Sequence, residues 1–259
     1  MWDNLQWVGD DEWLARVITE GTCITVTDGS YMQDLYATFN SAAVIIECTK
    51  GRGRLWCSFP EASRAACSYR GELLGLMAIH LILLAINEVN PGLTGLVHIY
   101  CDCLGALRKV QNLPPLRVPL RLAHLDVLKN ILVNCNNLTF ERYYLHVLAH
   151  QDDNVDYGDL SRPAQLNVNM DYNAKQALWS IQPTRIHRGQ AFPLETVYVS
   201  AGFDKIMVDM GHHVRFLAHR TLARTSFHQL KILEPTAFDK VDWEMVHLML
   251  HDVPRMFQQ

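Results

Sequence analysis

Four carboxylates stand where segments of regular pattern begin or end. Asp28 closes a β-rich run and is followed at once by Gly29 and Ser30. Glu72 opens a long apolar segment, one residue after Gly71. Asp102 ends the fourth strand-like run, and Asp171 lies in a helix-prone stretch with Asn167 four residues before it and Ala174 three after, all on one helical face. The four are 44, 30 and 69 residues apart, yet strand ends and helix starts at one edge of a sheet can bring them together. Acids gathered without a matching base are costly unless cations neutralise them. Mg²⁺ prefers hard oxygen ligands and keeps several of its waters. Two such ions roughly 3.5–4 Å apart can activate a water and stabilise the leaving oxygen of a phosphodiester.

Each acid also has a plainer reading. Asp28 suits a turn, Asp102 suits a helix cap, and Asp171 with Lys175 at i+4 suits a surface ion pair. His146 and His150 share a face, but no Cys or His placed nearby in sequence completes a zinc site. Arg70 lies two residues from Glu72, which would set it near any bound phosphate. The other basic residues of this region (Lys50, Arg52, Arg54, Arg108, Lys109, Arg117, Arg121 and Lys129) are scattered rather than clustered.

The elements that must position these groups are legible from residue 21 onward. Residues 23–27, 40–49 and 55–59 read as strands, the last two joined by a glycine-bearing turn at 50–54. A helix over 68–89 is stopped by Asn90-Pro91-Gly92. Then come a strand at 96–100, helices at 104–110 and 120–134, a strand at 139–148 and a helix at 163–179. An antiparallel meander followed by βα units implies a mixed sheet with helices on its faces. Residues 180–193 read as a linker. Beyond it lie a hairpin (196–200 with 205–208) and helices at 214–231 and 241–251, a small α+β appendage.

Composition narrows the class. The chain has 259 residues, 49% hydrophobic and 19% charged, which is globular composition. Its net charge of −4 resides in residues 1–20, while 21–180 carry −1 and 181–259 carry +1, so a polyanion would need a local basic stripe. The charge-free run 73–86 has 14 residues, too few to span a bilayer. Residues 1–4 show no secretory leader. The seven cysteines form no C-x-x-C pair and suit reduced thiols in an intracellular protein, cytoplasmic or nuclear.

T-D-G-S at 27–30, R-G-E-L at 70–73, Y-C-D-C at 100–103 and N-V-N-M-D-Y-N-A at 167–174, with H-V-L-A-H at 146–150, resemble the ribonuclease H motifs in order and setting. The resemblance covers residues 21–180, in the flavour carried by the reverse transcriptases of retroelements. It implies an α/β, ribonuclease H-like mixed five-stranded sheet flanked by helices. It also implies an endonuclease that hydrolyses the RNA strand of RNA–DNA hybrids with two Mg²⁺ ions, or Mn²⁺ in their place. Asp28, Glu72, Asp102 and Asp171 would hold the ions, and His150 would help product leave or shuttle a proton. Ser30 and Asn167 would contact the hybrid. A polymerase domain in a larger polyprotein would be the natural companion, and no membrane is implied. His150 lies 21 residues before Asp171, a longer interval than compact relatives show, and Ala149 replaces their usual glycine. The rival readings are another nuclease of the superfamily, resolvase- or integrase-like, and a catalytically silent hybrid-binding or connection module. For residues 181–259 no motif is found. The basic helix at 214–231 reads either as a packed amphipathic helix or as an extension of the nucleic-acid track.

Overall fold

The computed structural model describes residues 1–63, 65–114, 122–181, 192, 200–201, 204–206, 210–229 and 235–240. The chain divides into two compact units, Met1–Asp209 and Met210–Gln259. The predicted helix at 241–251, and most of the predicted linker and hairpin, lie outside the described residues.

The first unit is built on six strands. They are β1 (Gln6–Val8), β2 (Cys23–Ser30), β3 (Phe39–Cys48), β4 (Arg54–Ala62), β5 (Leu96–Cys101) and β6 (Glu141–His146), in the order β1-β4-β3-β2-β5-β6. The β2–β3–β4 meander is antiparallel, and β5 and β6 run parallel to β2. The sixth strand departs from the expected five. The acid-rich N-terminal segment supplies it, since Gln6–Val8 pairs antiparallel with β4 although all three residues are exposed. Right after it, α1 (Trp13–Thr19) buries Trp13, Leu14, Val17 and Ile18 in the main core.

Two long helices sandwich the centre of the sheet. On one face lies α2 (Ser68–Val89), backed by α3 (Leu104–Asn112) and α4 (Leu125–Asn137), and on the other lies α5 (Arg162–Trp179). Strand alternation sorts the side chains. Ala42, Val44 and Ile46 of β3 join the α2 core, while Ala43 and Ile45 join Ile24, Val26, Leu166, Met170 and Ala174 on the α5 side. Covered on both faces, β3 is buried along its whole length, which is why its sequence reads as one apolar run. Helix α2 is long and apolar enough to cross a membrane, but 72% of that stretch is buried within the protein. It starts at Cys67, whose sulfur accepts from the Arg70 amide, and ends at Asn90 before Pro91.

The second unit holds α6 (Met210–Gln229), four residues earlier at its start than predicted, and the short α7 (Pro235–Phe238). Arg220 and Arg224 of α6 face Asp239, at 3.8 and 2.9 Å.

Candidate active site

Glycines decide how close the sheet and α2 can come. A Cβ on Gly29 would run into the backbone of Gly71 and Glu72, one on Gly71 would meet the Ser41 carbonyl, and one on Gly75 would strike the Thr27 hydroxyl. With hydrogen at all three positions, α2 lies directly on β2, and Glu72 is delivered to the residue next to Asp28. The Gly29 N–H donates to Asp28 Oδ1 at 2.8 Å and to Glu72 Oε1 at 2.9 Å.

The parallel pairing of β2 with β5 ends at Thr27 opposite Cys101, so Asp28 and Asp102 follow side by side. Asp28 does not end its strand as expected. β2 runs on to Ser30, still paired with β3, because the meander outlasts the parallel ladder. Alternation turns Asp28, like Ile24 and Val26, toward α5. Asp171 of α5 is close enough for its charge to act on Asp28. One turn earlier, Asn167 hydrogen-bonds the Asp102 carboxylate, while its own Oδ1 is buried without a partner.

Burial and crowding make the group electrostatically uneasy. Burial first, then the Asp102 charge, pushes the Asp28 carboxyl up to about 7. Glu72 is raised well above the carboxylate range by burial and then by the charges of both aspartates. Asp102 is raised by burial too, against the opposing effects of Asn167, His150 and His146. Asp171 is ion-paired to Lys175 at 2.6 Å. His146 Nε2 donates to the Asp102 carbonyl at 2.9 Å, and His150 is exposed in a left-handed conformation at φ 50°. The acids Asp152, Asp153, Asp156 and Asp159 are solvent-exposed.

Two expected contacts do not match where the residues lie. Arg70 is wholly buried, forked onto Glu61 (2.6 and 2.8 Å) and onto Asp126 (2.9 and 3.0 Å), so it braces the core rather than meeting a phosphate. Lys205 also reaches Asp126, at 3.2 Å, and Phe192 lies against both cations. Ser30 is buried in the ladder opposite Ser41 rather than open to solvent.

Sequence reasoning missed Cys101. Its thiol donates to Glu72 Oε2 at 3.5 Å, and one ligand atom each from Glu72, Cys101 and Asp102 lies within 4.8 Å of the other two. The signal was present, because Cys101 belongs with Val97 and Ile99 on the α2-facing side of β5. The oxygen-rich donor set, the mutual repulsion and the partnerless Asn167 oxygen fit a divalent cation.

This sheet order, with its antiparallel meander, parallel β5 and β6, and helices on both faces, is the mixed α/β arrangement expected from the sequence, with one strand more. No protein-family model matches the sequence, and no curated protein matches it. Solved structures do align with it. The ribonuclease H domain of PFV is 16% identical over 62% of this chain and 96% of its own, with a TM-score of 0.46. The protease–reverse transcriptase of prototype foamy virus is 14% identical over 64% of this chain, with a TM-score of 0.45. The alignment spans 22% of that viral protein. LC11 ribonuclease H1, in complex with an RNA/DNA hybrid, is 14% identical over 60% of this chain and 96% of its own, with a TM-score of 0.43.

Proposed function

We propose that the protein is an endoribonuclease acting on the RNA strand of RNA–DNA hybrids. One observation carries the reading. Asp28 and Asp102 emerge side by side past the Thr27–Cys101 pair, and a glycine-only contact clamps Glu72 beside them. When bound, a pair of Mg²⁺ or Mn²⁺ ions supplies an activated water and stabilises the leaving oxygen.

The chain's own residues do the rest. Asp28, Glu72 and Asp102 would hold the cations, and Asp171 would join them after releasing Lys175. Asn167 fixes the rotation of the Asp102 carboxylate, and His146 anchors the backbone beneath it. His150, exposed beside Asp102, moves a proton at its imidazole and eases product away. Recognition follows the shape of the hybrid and its 2′-hydroxyls, so little base preference is expected. We place the catalytic domain at residues 21–180, with β1 and α1 of the N-terminal segment completing its sheet and core, within a retroelement polyprotein that also carries a polymerase. Seven free cysteines suit a reducing compartment, cytoplasm or nucleus.

The test is incubation of the full chain with an end-labelled hybrid and Mg²⁺, followed by EDTA. RNA-strand fragments that stop accumulating on chelation support the reading. Tight hybrid binding without cleavage in either Mg²⁺ or Mn²⁺ overturns it in favour of a silent binding module.

A further inference from the structure

Cys101 adds a ligand that hydrolysis as proposed above does not use. It ends β5 with no exposed surface, and its Sγ turns toward α2, onto Glu72. In a tetrahedral site with a metal–sulfur bond of about 2.3 Å and a metal–oxygen bond of about 2.0 Å, sulfur and oxygen ligands stand about 3.5 Å apart. Cys101 Sγ and Glu72 Oε2 already hold 3.5 Å, and Asp102 completes a trio within 4.8 Å. A second, separate observation points to an occupant. Asn167 is 3% exposed and bonded to Asp102, yet the Oδ1 of the same amide is buried without a donor. A water on a cation held by Asp102 would provide that donor. Mg²⁺ gains nothing from a thiol, whereas Zn²⁺, Co²⁺ and Cd²⁺ accept mixed sulfur and oxygen sets.

The geometry points to a thiophilic-cation site at Glu72, Cys101 and Asp102, where Zn²⁺ displaces Mg²⁺ and arrests the centre. Only the arrest rests on the hydrolytic reading; the binding does not. On binding, the Cys101 S–H bond breaks as a sulfur–metal bond forms, the Glu72 carboxyl gives up its proton as an oxygen–metal bond forms, and both protons pass to buffer with no change of oxidation state. Glu72 and Asp102, tied to an ion shared with sulfur, are then withdrawn from the octahedral ions that hydrolysis needs.

The probe is Co²⁺ added to the full chain after EDTA treatment and dialysis. A near-ultraviolet thiolate-to-cobalt charge-transfer band is expected, reduced by excess Mg²⁺ because the two ions share carboxylates. Cys101→Ser should abolish the band and weaken Zn²⁺ binding by about tenfold or more. Cys67→Ser should retain the band, although Cys67 Sγ lies 3.5 Å from His124 Nε2 and is the competing place for such an ion. A band absent from the native chain, or lost in Cys67→Ser instead, overturns the site. Should Cys101→Ser fail to fold by circular dichroism, the native chain still decides, since a band indifferent to excess Mg²⁺ lies elsewhere. A chain that shows the band but never cleaves hybrid keeps this site and loses the hydrolytic reading. One that cleaves hybrid with Mg²⁺ and shows no band does the reverse.

Discussion

Gly29 donates one backbone N–H to Glu72 at 2.9 Å across the closest approach of β2 and α2, and the same N–H also reaches Asp28. Two acids from separate elements are thus pinned to one amide. Gly29→Ala puts a methyl group into the backbone of Gly71 and Glu72, so α2 must move away. The expected result is about 1–3 kcal/mol of lost stability, as for overpacked cores, together with loss of hybrid cleavage. Denaturant titration and cleavage assays check it. A variant with native stability would mean that the approach is looser than described.

Asp28→Asn and Asp102→Asn should each abolish cleavage while leaving the fold intact, because a neutral amide ligates Mg²⁺ poorly. His150→Ala should slow turnover without stopping it. Single-turnover and steady-state assays separate these outcomes, and full activity in either Asn variant would refute the two-cation assignment.

Without metal, stability should fall as pH rises. The Asp28 carboxyl ordinarily titrates near 3.8 but is held up to about 7 in the folded protein. Between those values the folded chain binds the proton and the unfolded chain does not. The contribution is therefore complete below pH 4 and is lost as pH passes through about 7. Its ceiling is on the order of 4 kcal/mol, at 1.36 kcal/mol per unit, and is shared with Glu72 and Asp102. Melting at pH 5 and pH 8 in EDTA should show the drop, and Mg²⁺ should flatten it. Equal melting points in EDTA would count against the crowding of these acids.

Arg70 and Lys205 balance Glu61 and Asp126 in the core, two cations against two anions. Arg70→Met leaves the anions in excess and should cost about 3–5 kcal/mol, the usual penalty for halving a buried ion pair. Ending the chain after Ile181 removes Lys205 and Phe192, and should destabilise the first unit as well. Unfolding midpoints in denaturant provide the measure. An unchanged midpoint in the shortened chain would show that those contacts contribute nothing.

Lys175→Met should scarcely alter stability, since a partly exposed i,i+4 pair is worth about 0.3–0.5 kcal/mol. It releases Asp171 and should lower the Mg²⁺ concentration for half-maximal cleavage about twofold, which is that energy expressed as a ratio. A rise instead would assign Lys175 to the substrate.

The acids were legible because each lies beside a local signal, a turn glycine, a helix start or a strand end. Their company was not. Arg70 next to Glu72 reads as a phosphate ligand until Glu61 and Asp126, 9 and 56 residues away, are seen to claim it. The sixth strand escaped notice because Gln6–Val8 is too short and too exposed to alternate. Cys101 reads as core filler unless the direction of its neighbour's side chain is asked about. The docking of Phe192 and Lys205 has no periodic signature at all, since one side chain at a time provides it.

The three-glycine contact has a kinetic consequence. Asp28 and Glu72 are fixed where β2 lies directly on α2, so the Gly29 amide, held by both carboxylates, should exchange with solvent only when strand and helix part. Asp171 sits on a half-exposed turn of α5 and His150 at the mouth of an exposed loop, where opening is local and fast. The two halves of the centre therefore live on different clocks, one as slow as the parting of β2 from α2 and one free to rearrange at each encounter.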